Sequence, residues 1–318
     1  MPKPTATLSI DMDDAWAYQR TAGRENWASA DSILPLATPR VVNMLRDFAA
    51  TFFLIGEDVN NPKLGTVFEQ LKHDSFEIAS HSYSHRTDFH RLGRDEIHDE
   101  LQRSEAAIIA ATGYRPRGFR APSFRLSSGL ITALAARGYS YDASAFPNSI
   151  GPLARWWHFR SIAASTALKL EQSDLFGNFA DARTPLRAHR IQVGDYKLLE
   201  IPVTTFPLVR LPMHFTYINF IADSSETLAE KYFSTALQLC RIFSLAPSIL
   251  LHATDFVGND DAGCPTFLPG MRRSATAKLA FTQRLLRTLT SQFRLKTLVD
   301  YAEEKSNDAS LKIRTLAA

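Results

Sequence analysis

Short runs of consecutive apolar residues alternate along this chain with longer stretches in which apolar positions return every three or four residues. The first rhythm predicts strands buried on both faces; the second predicts amphipathic helices. Thr5 to Ile10 is β-branched enough to be a first strand, Ala50 to Gly56 a second and Phe76 to Ser80 a third. Between them, Val41, Val42, Leu45 and Phe48 give a helix from Thr38 to Phe48, capped near Thr38 with Pro39 at its first position. Leu64, Val67, Phe68 and Leu71 mark another from Pro62 to His73. Arg94 to Thr112 reads as a long helix with acids at its start and Gly113 as its stop. A strand carrying Arg120, a helix from Ser127 to Arg137 closed by Gly138, and a strand from Tyr139 to Phe146 continue the series. Strands and helices alternating at this spacing form parallel βαβ units wound into an α/β barrel.

The rhythm dissolves between Pro147 and Gln192, and an irregular insertion is expected at about 147–192. It resumes with a strand from Lys197 to Thr204, a helix from Glu226 to Phe243 capped by Ser224 or Ser225, a buried strand from Ser248 to Leu251 and a last long helix ending at Phe293. Leu295 to Leu298 looks like a closing strand, and the polar tail after Glu304 is expected to fray. Neither an internal repeat nor a linker interrupts the chain, so residues 1–318 are read as one domain.

Composition narrows the class rather than the function. A hydrophobic fraction of 45% with 22% charged residues suits a chain that buries a sizeable core. A net charge of +3 is too small to argue for a nucleic-acid partner. Two cysteines, Cys240 and Cys264, do not make a disulfide framework. The N-terminus enters the first strand without an apolar export segment, and no window is long enough to span a bilayer, so a cytoplasmic protein is expected.

The candidate chemistry sits where predicted strands end. His81 and His85, separated by three residues after the third strand, present two imidazoles to one point. The first strand runs into Asp11, Asp13 and Asp14, acids that repel one another unless a cation or an arginine lies among them. Together they supply the two-histidine, one-carboxylate set of catalytic zinc, with Asp13 or Asp14 as the carboxylate. Trp16, Tyr18 and Trp27 follow in a loop and are candidates for the wall of a sugar site. Trp156, Trp157 and Phe159, between Arg155 and Arg160, are candidates for covering a sugar or touching the face of an anionic membrane. His90 and His98 are read as surface histidines.

These residues fall in a familiar order. Strand-Asp11-x-Asp13, Ala50-Thr-Phe-Phe-Leu54, His81-Ser-Tyr-Ser-His85, Arg117-Gly-Phe-Arg120-Ala-Pro122, Tyr139-Ser-Tyr-Asp142-Ala-Ser144 and Ile249-Leu-Leu-His252 resemble, in sequence, the motifs of the polysaccharide deacetylase (NodB-homology) family. The resemblance implies an irregular (β/α) barrel of about seven or eight strands and metal-assisted hydrolysis of an N-acyl amino sugar. It implies Zn2+, or Co2+ or Ni2+, on Asp13, His81 and His85. Asp11 would be the base, Arg120 its brace, and His252 the acid for the leaving amine. Pro122 and Tyr141 would lie near the substrate. Asp-x-Asp in place of two adjacent acids resembles a variant branch that includes deformylases of lipid-linked aminoarabinose. The Asp-Trp pair that usually positions the acid histidine is missing, which leaves Asp142 or Asp255 for that task. The substrate implied is an N-acylated sugar, nucleotide- or lipid-linked, met at the inner membrane face if lipid-linked. A carbohydrate-binding protein without turnover and a metal-free ring-amide hydrolase are the alternatives on this fold. Neither the oligomeric state nor the sugar follows from the sequence.

Overall fold

The computed structural model describes residues 2–151 and 181–317. Its strands are β1 (Thr5–Asp11), β2 (Ala50–Leu54), β3 (Phe76–Ser80), β4 (Gly118–Phe119), β5 (Tyr141–Asp142), β6 (His189–Val193), β7 (Tyr196–Glu200), β8 (Ser248–His252), β9 (Arg294–Lys296) and β10 (Ile313–Thr315). The sheet runs β10-β6-β7-β5-β4-β3-β2-β1-β8, with β9 against the start of β1. Among the described residues the β6–β7 pair is antiparallel and the other pairs are parallel.

Past β7 the chain stays extended and bridges the two ends of this path. Ile201 N donates to Asp142 O at 2.9 Å and Val203 N to Ala145 O at 2.9 Å on one side. On the other, Thr204 N donates to Ser248 O at 2.9 Å and Ser248 N donates to Thr204 Oγ1 at 2.7 Å. The ring β1-β2-β3-β4-β5-β7-β8 is therefore an irregular barrel, closed at β8 by this single stretch of backbone.

Around the ring lie α1 (Ala15–Thr21), α2 (Leu34–Leu45), α3 (Gly56–Val59), α4 (Gly65–Glu69), α5 (Arg94–Thr112), α6 (Ser128–Ala136), α7 (Phe215–Ala222), α8 (Glu226–Ile242), α9 (Ala275–Gln292) and α10 (Leu298–Ser306). The central strands are buried on both faces because helices cover them: β2 is buried at every position, and β1 at all but its first. The longest helix, α5, starts where Glu96 accepts the Gly93 N–H at 3.0 Å and stops where Gly113 takes a left-handed φ of 79°. Among the described residues no helix is long and apolar enough to cross a membrane.

Register aligns the C-terminal ends of the strands. Asp11 faces His252 on one side and Phe53 on the other, Leu54 faces Ser80, and Ser80 faces Phe119. The residues that end β1 and β8, and those that follow β3 and β4, thus emerge at one mouth of the barrel, where such folds keep their chemistry.

Several boundaries differ from the sequence reading. Helix α2 begins four residues earlier than the expected cap at Thr38. Pro35 takes the first turn, Pro39 lies inside the helix, and Leu34, Ala37, Val41 and Leu45 form its buried face. The helix expected from Pro62 to His73 is a 3-10 turn, Pro62–Leu64, followed by the short α4. The strand expected over Tyr139 to Phe146 pairs only at Tyr141–Asp142, because the Asp142 carboxylate accepts the Ser144 N–H at 3.1 Å and turns the backbone out of the ladder. β6 occupies the end of the expected insertion, and residues 152–180 lie outside the described residues. The tail is ordered rather than frayed: α10 carries it across the barrel floor, and β10 then pairs with β6.

Closeness of packing around β4 makes a test. A Cβ at Gly118 would lie 2.0 Å from Cζ of the fully buried Tyr141. Gly118→Ala is expected to lower the unfolding free energy by about 2–3 kcal/mol, read from urea melts as a shifted midpoint with an unchanged slope.

Candidate metal and acid-base site

Two residues beyond the end of β1, Asp13 is brought against the pair that follows β3. Its Oδ1 lies 3.3 Å from His81 Nε2 and 3.5 Å from His85 Nε2. One ligand atom from each residue lies within 4.8 Å of the others, and all three side chains are buried. Burial alone would raise the Asp13 carboxyl; the charges of His85 and His81 outweigh it and hold Asp13 well below the usual carboxylate range. Burial pushes His85 down to about 3 against the attraction of Asp13. Burial acts the same way on His81, but Asp11 and Asp13 overcome it and raise that imidazole.

The donor set fits a divalent cation. His81 Nδ1 donates to the Arg120 carbonyl at 2.7 Å, so its Nε2 lone pair is turned toward Asp13. Asp13 Oδ1 is a buried oxygen without a hydrogen-bond partner among the described residues. An orphaned carboxylate oxygen facing two imidazole nitrogens leaves a desolvation cost that a cation would remove.

Asp11 stands beside this set. Its Oδ1 accepts from Arg120 Nη1 at 2.5 Å, while its Oδ2 lies 3.9 Å from His81 Nε2 and 4.0 Å from His252 Nε2. Arg120 is wholly enclosed and also donates to Ala143 O at 3.0 Å and Ser9 Oγ at 3.1 Å, with its guanidinium 4.1 Å over the Phe53 ring.

The two candidates for positioning His252 separate cleanly. Asp142 is not near the histidine: it lies behind Arg120, bonded to Ser144 Oγ at 2.7 Å and to Glu200. Burial and then the charge of Asp142 push Glu200 well above the usual range, and burial raises Asp142 as well. Asp255 is the one beside His252, though it reaches the ring indirectly. Its Oδ2 accepts from His252 N at 2.9 Å and from Thr216 Oγ1 at 3.2 Å, and Thr216 Oγ1 lies 2.9 Å from His252 Nδ1. Asn219 Nδ2 holds the other oxygen at 2.9 Å. The hydroxyl of Thr216 therefore links carboxylate to imidazole.

Thr216 and the neighbouring His214 were not singled out in the sequence. His214 caps α7, packs 5.7 Å from the His252 ring and is driven down to about 3 by burial and by His252. The aromatic, amphipathic pattern of residues 211–220 signals a helix but not which end of it faces the barrel mouth.

The remaining candidates are placed as follows. Asp14 caps α1, accepting from Ala15 N at 2.7 Å and Ile33 N at 2.8 Å, and stands outside the ligand group. Trp16 meets His85 edge to face at 6.4 Å, with Trp27 5.8 Å behind it and its Nε1 donating to Asp58 Oδ1 at 2.7 Å. Pro122 is buried just after Arg120. Tyr141 is not available to a substrate: it lies in the core, and its hydroxyl donates to Glu77 at 2.8 Å. Trp156 and Trp157 lie outside the described residues.

With this geometry in place, comparison with known proteins gives a consistent frame. A family model of polysaccharide deacetylases matches residues 13–141. A peptidoglycan deacetylase-like protein of Gibberella zeae is 33% identical over 94 residues, which span 30% of this chain and 27% of that protein. A crystal structure from Mycobacterium smegmatis, assigned as a polysaccharide deacetylase, aligns over 100% of this chain and 94% of its own at TM-score 0.62 and 17% identity. The Puue allantoinase aligns over 96% and 91% at TM-score 0.57 and 14% identity. The two structural likenesses establish the fold.

The buried Asp142–Glu200 pair predicts a pH signature. A carboxyl whose folded pKa is raised favours folding below its unfolded value, near 4.5 for Glu200, and that contribution is lost as pH rises toward the folded value. Glu200→Gln keeps a donor to Asp142 and removes the titration. Its unfolding free energy is expected to match the wild type near pH 4 and to fall less steeply above it, as measured by urea melts across pH.

Proposed function

We propose, from the match of residues 13–141 to a family model of polysaccharide deacetylases, that the protein is a hydrolase that removes an acetyl or formyl group from the nitrogen of an amino sugar. The sugar is free or carried on a nucleotide or lipid. Asp13, His81 and His85 would hold the divalent cation, Zn2+ or else Co2+ or Ni2+. One observation carries the reading: Asp11 is anchored to Arg120 through one oxygen and offers the other between His81 and His252, beside the ligand group.

When bound, the cation supplies Lewis acidity to the acyl carbonyl and to water. The chain's own residues then divide the proton traffic. Arg120 occupies Asp11 Oδ1 and fixes the carboxylate, which leaves Oδ2 to accept a proton from the attacking water. As the carbon–nitrogen bond breaks, His252 Nε2 gives a proton to the departing amine, so the sugar leaves as a neutral amine and the acyl group as its acid. Thr216 fixes the imidazole at Nδ1, with Asp255 behind it. Trp16 and Trp27 offer ring faces for an apolar sugar surface beside His85.

Purified protein is expected to carry about one divalent ion per chain and to release acetate or formate from a panel of free, nucleotide-linked and lipid-linked N-acyl sugars. Binding of those sugars without acyl release, or release from chelator-stripped protein, would overturn the reading. Asp11→Asn should keep the ion and lose about 10²–10⁴-fold in kcat, whereas His85→Ala should lose the ion itself. Thr216→Val is expected to lower kcat about tenfold with KM unchanged, and Thr216→Ser to restore it.

A further inference from the structure

The turn that carries the two histidines is strained. Ser82 has φ 66° and His85 φ 51°, in the left-handed region that costs a side-chain-bearing residue on the order of 1–3 kcal/mol. Something must hold the turn in place.

The two histidines are held by different means. His81 leaves the end of β3 with its N–H on Leu54 O at 2.8 Å and its ring nitrogen on the Arg120 carbonyl, so both backbone and ring are fixed. Among the described residues, His85 Nδ1 has no hydrogen-bond partner. The aim of its Nε2 therefore depends on where the backbone of the turn puts it.

That backbone is gripped from two sides by side chains of opposite charge. From α5, the Glu100 carboxylate accepts Tyr83 N at 2.9 Å, Ser84 N at 3.0 Å and Ser84 Oγ at 2.5 Å, and it is only 6% exposed. From α1, Arg20 Nη2 donates to the carbonyl of Ser84 at 2.8 Å and to that of His85. The acid takes the turn's N–H groups and the guanidinium takes its C=O groups. Arg20 also lies 4.8 Å over Trp16, the ring that meets His85 edge-on, so one residue fixes both the carbonyl of His85 and the wall beside its imidazole.

We propose that Glu100 and Arg20 form a clamp whose task is to aim His85, and that this clamp, rather than any hydrogen bond to the His85 ring, sets the protein's affinity for its divalent ion. The inference rests on Asp13, His81 and His85 being the ligand set. It assigns to two residues outside that set the orienting role that an acceptor on the ring usually performs.

Zn2+ affinity of the purified full chain, measured by competition with a chromophoric chelator, tests it without a substrate. Glu100→Gln and Arg20→Met should each bind Zn2+ about 10–100-fold more weakly than wild type. Glu105→Gln, on the same helix but paired with Arg137, should bind as wild type does. Ser84→Ala removes one of the three bonds to Glu100 and should weaken binding about threefold; it carries the test if Glu100→Gln does not fold. Melting midpoints of the metal-free proteins are read alongside. Variants that melt lower but bind Zn2+ with unchanged affinity when folded would reduce the clamp to a structural brace and overturn the proposal. Wild-type affinity in both clamp variants would overturn it while leaving the metal site intact. Absence of Zn2+ binding by the wild type would sink the ligand set and the clamp together.

Discussion

A guanidinium enclosed on every side is the constraint from which the site follows. Arg120 cannot shed its charge, and a buried charge is tolerated only when each donor finds an acceptor and a counter-ion lies in contact. Asp11 at the end of β1 supplies the counter-ion, Ser9 and the Ala143 carbonyl take further donors, and the Phe53 face lies beneath. These partners belong to β1, β2 and the stretch after β5, so the cation ties three walls of the barrel at the level of its mouth. Its own carbonyl accepts the ring N–H of His81. One residue thereby fixes the carboxylate read as the base and the tautomer of one candidate ligand, His81.

A second layer of acid keeps that arrangement from being a simple ion pair. Asp142 and Glu200 are fully buried beside one another, and burial raises both carboxyls, which favours the neutral form in the pair. Two full charges behind Arg120 would draw it away from Asp11; a protonated pair offers a weaker pull. The cluster of acids and imidazoles at the mouth then stays the place where a divalent charge is most favoured.

The parts of the site legible in the sequence are those whose chemistry is unusual for a strand end. Acids after an apolar run, and two imidazoles four residues apart, are costly to explain as packing, and the structure brings Asp11, Asp13, His81, His85, Arg120 and His252 to one mouth. What the sequence hid was tertiary. Thr216 and His214 ride on a helix whose aromatic pattern would serve equally well as core, and only its docking beside β8 turns their polar atoms toward His252. Asp142 stands as a candidate beside Asp255, which is the nearer to His252 along the chain, because sequence separation does not say which side of Arg120 a carboxylate occupies. Pro39 looked like a helix start, since a proline inside α2 is tolerated only when the packing of Leu34, Val41 and Leu45 outweighs its lost hydrogen bond. β10, three residues long and largely exposed, owes its existence to the free edge of β6.

The same geometry separates what can vary in this site from what cannot. Asp11 and His252 are register partners on adjacent parallel strands, so the spacing between the groups read as base and acid is set by the sheet and cannot be retuned by a loop. His81 is likewise anchored to the end of a strand. His85, Trp16, His214 and Thr216 instead depend on a turn and on helix ends, where a change of one contact moves a side chain without disturbing the ladder. On the proposed reading, differences in which acylated molecule is accepted would arise from α1, the turn after β3 and α7, while Asp11 and His252, proposed as base and acid, are locked to the barrel by their register.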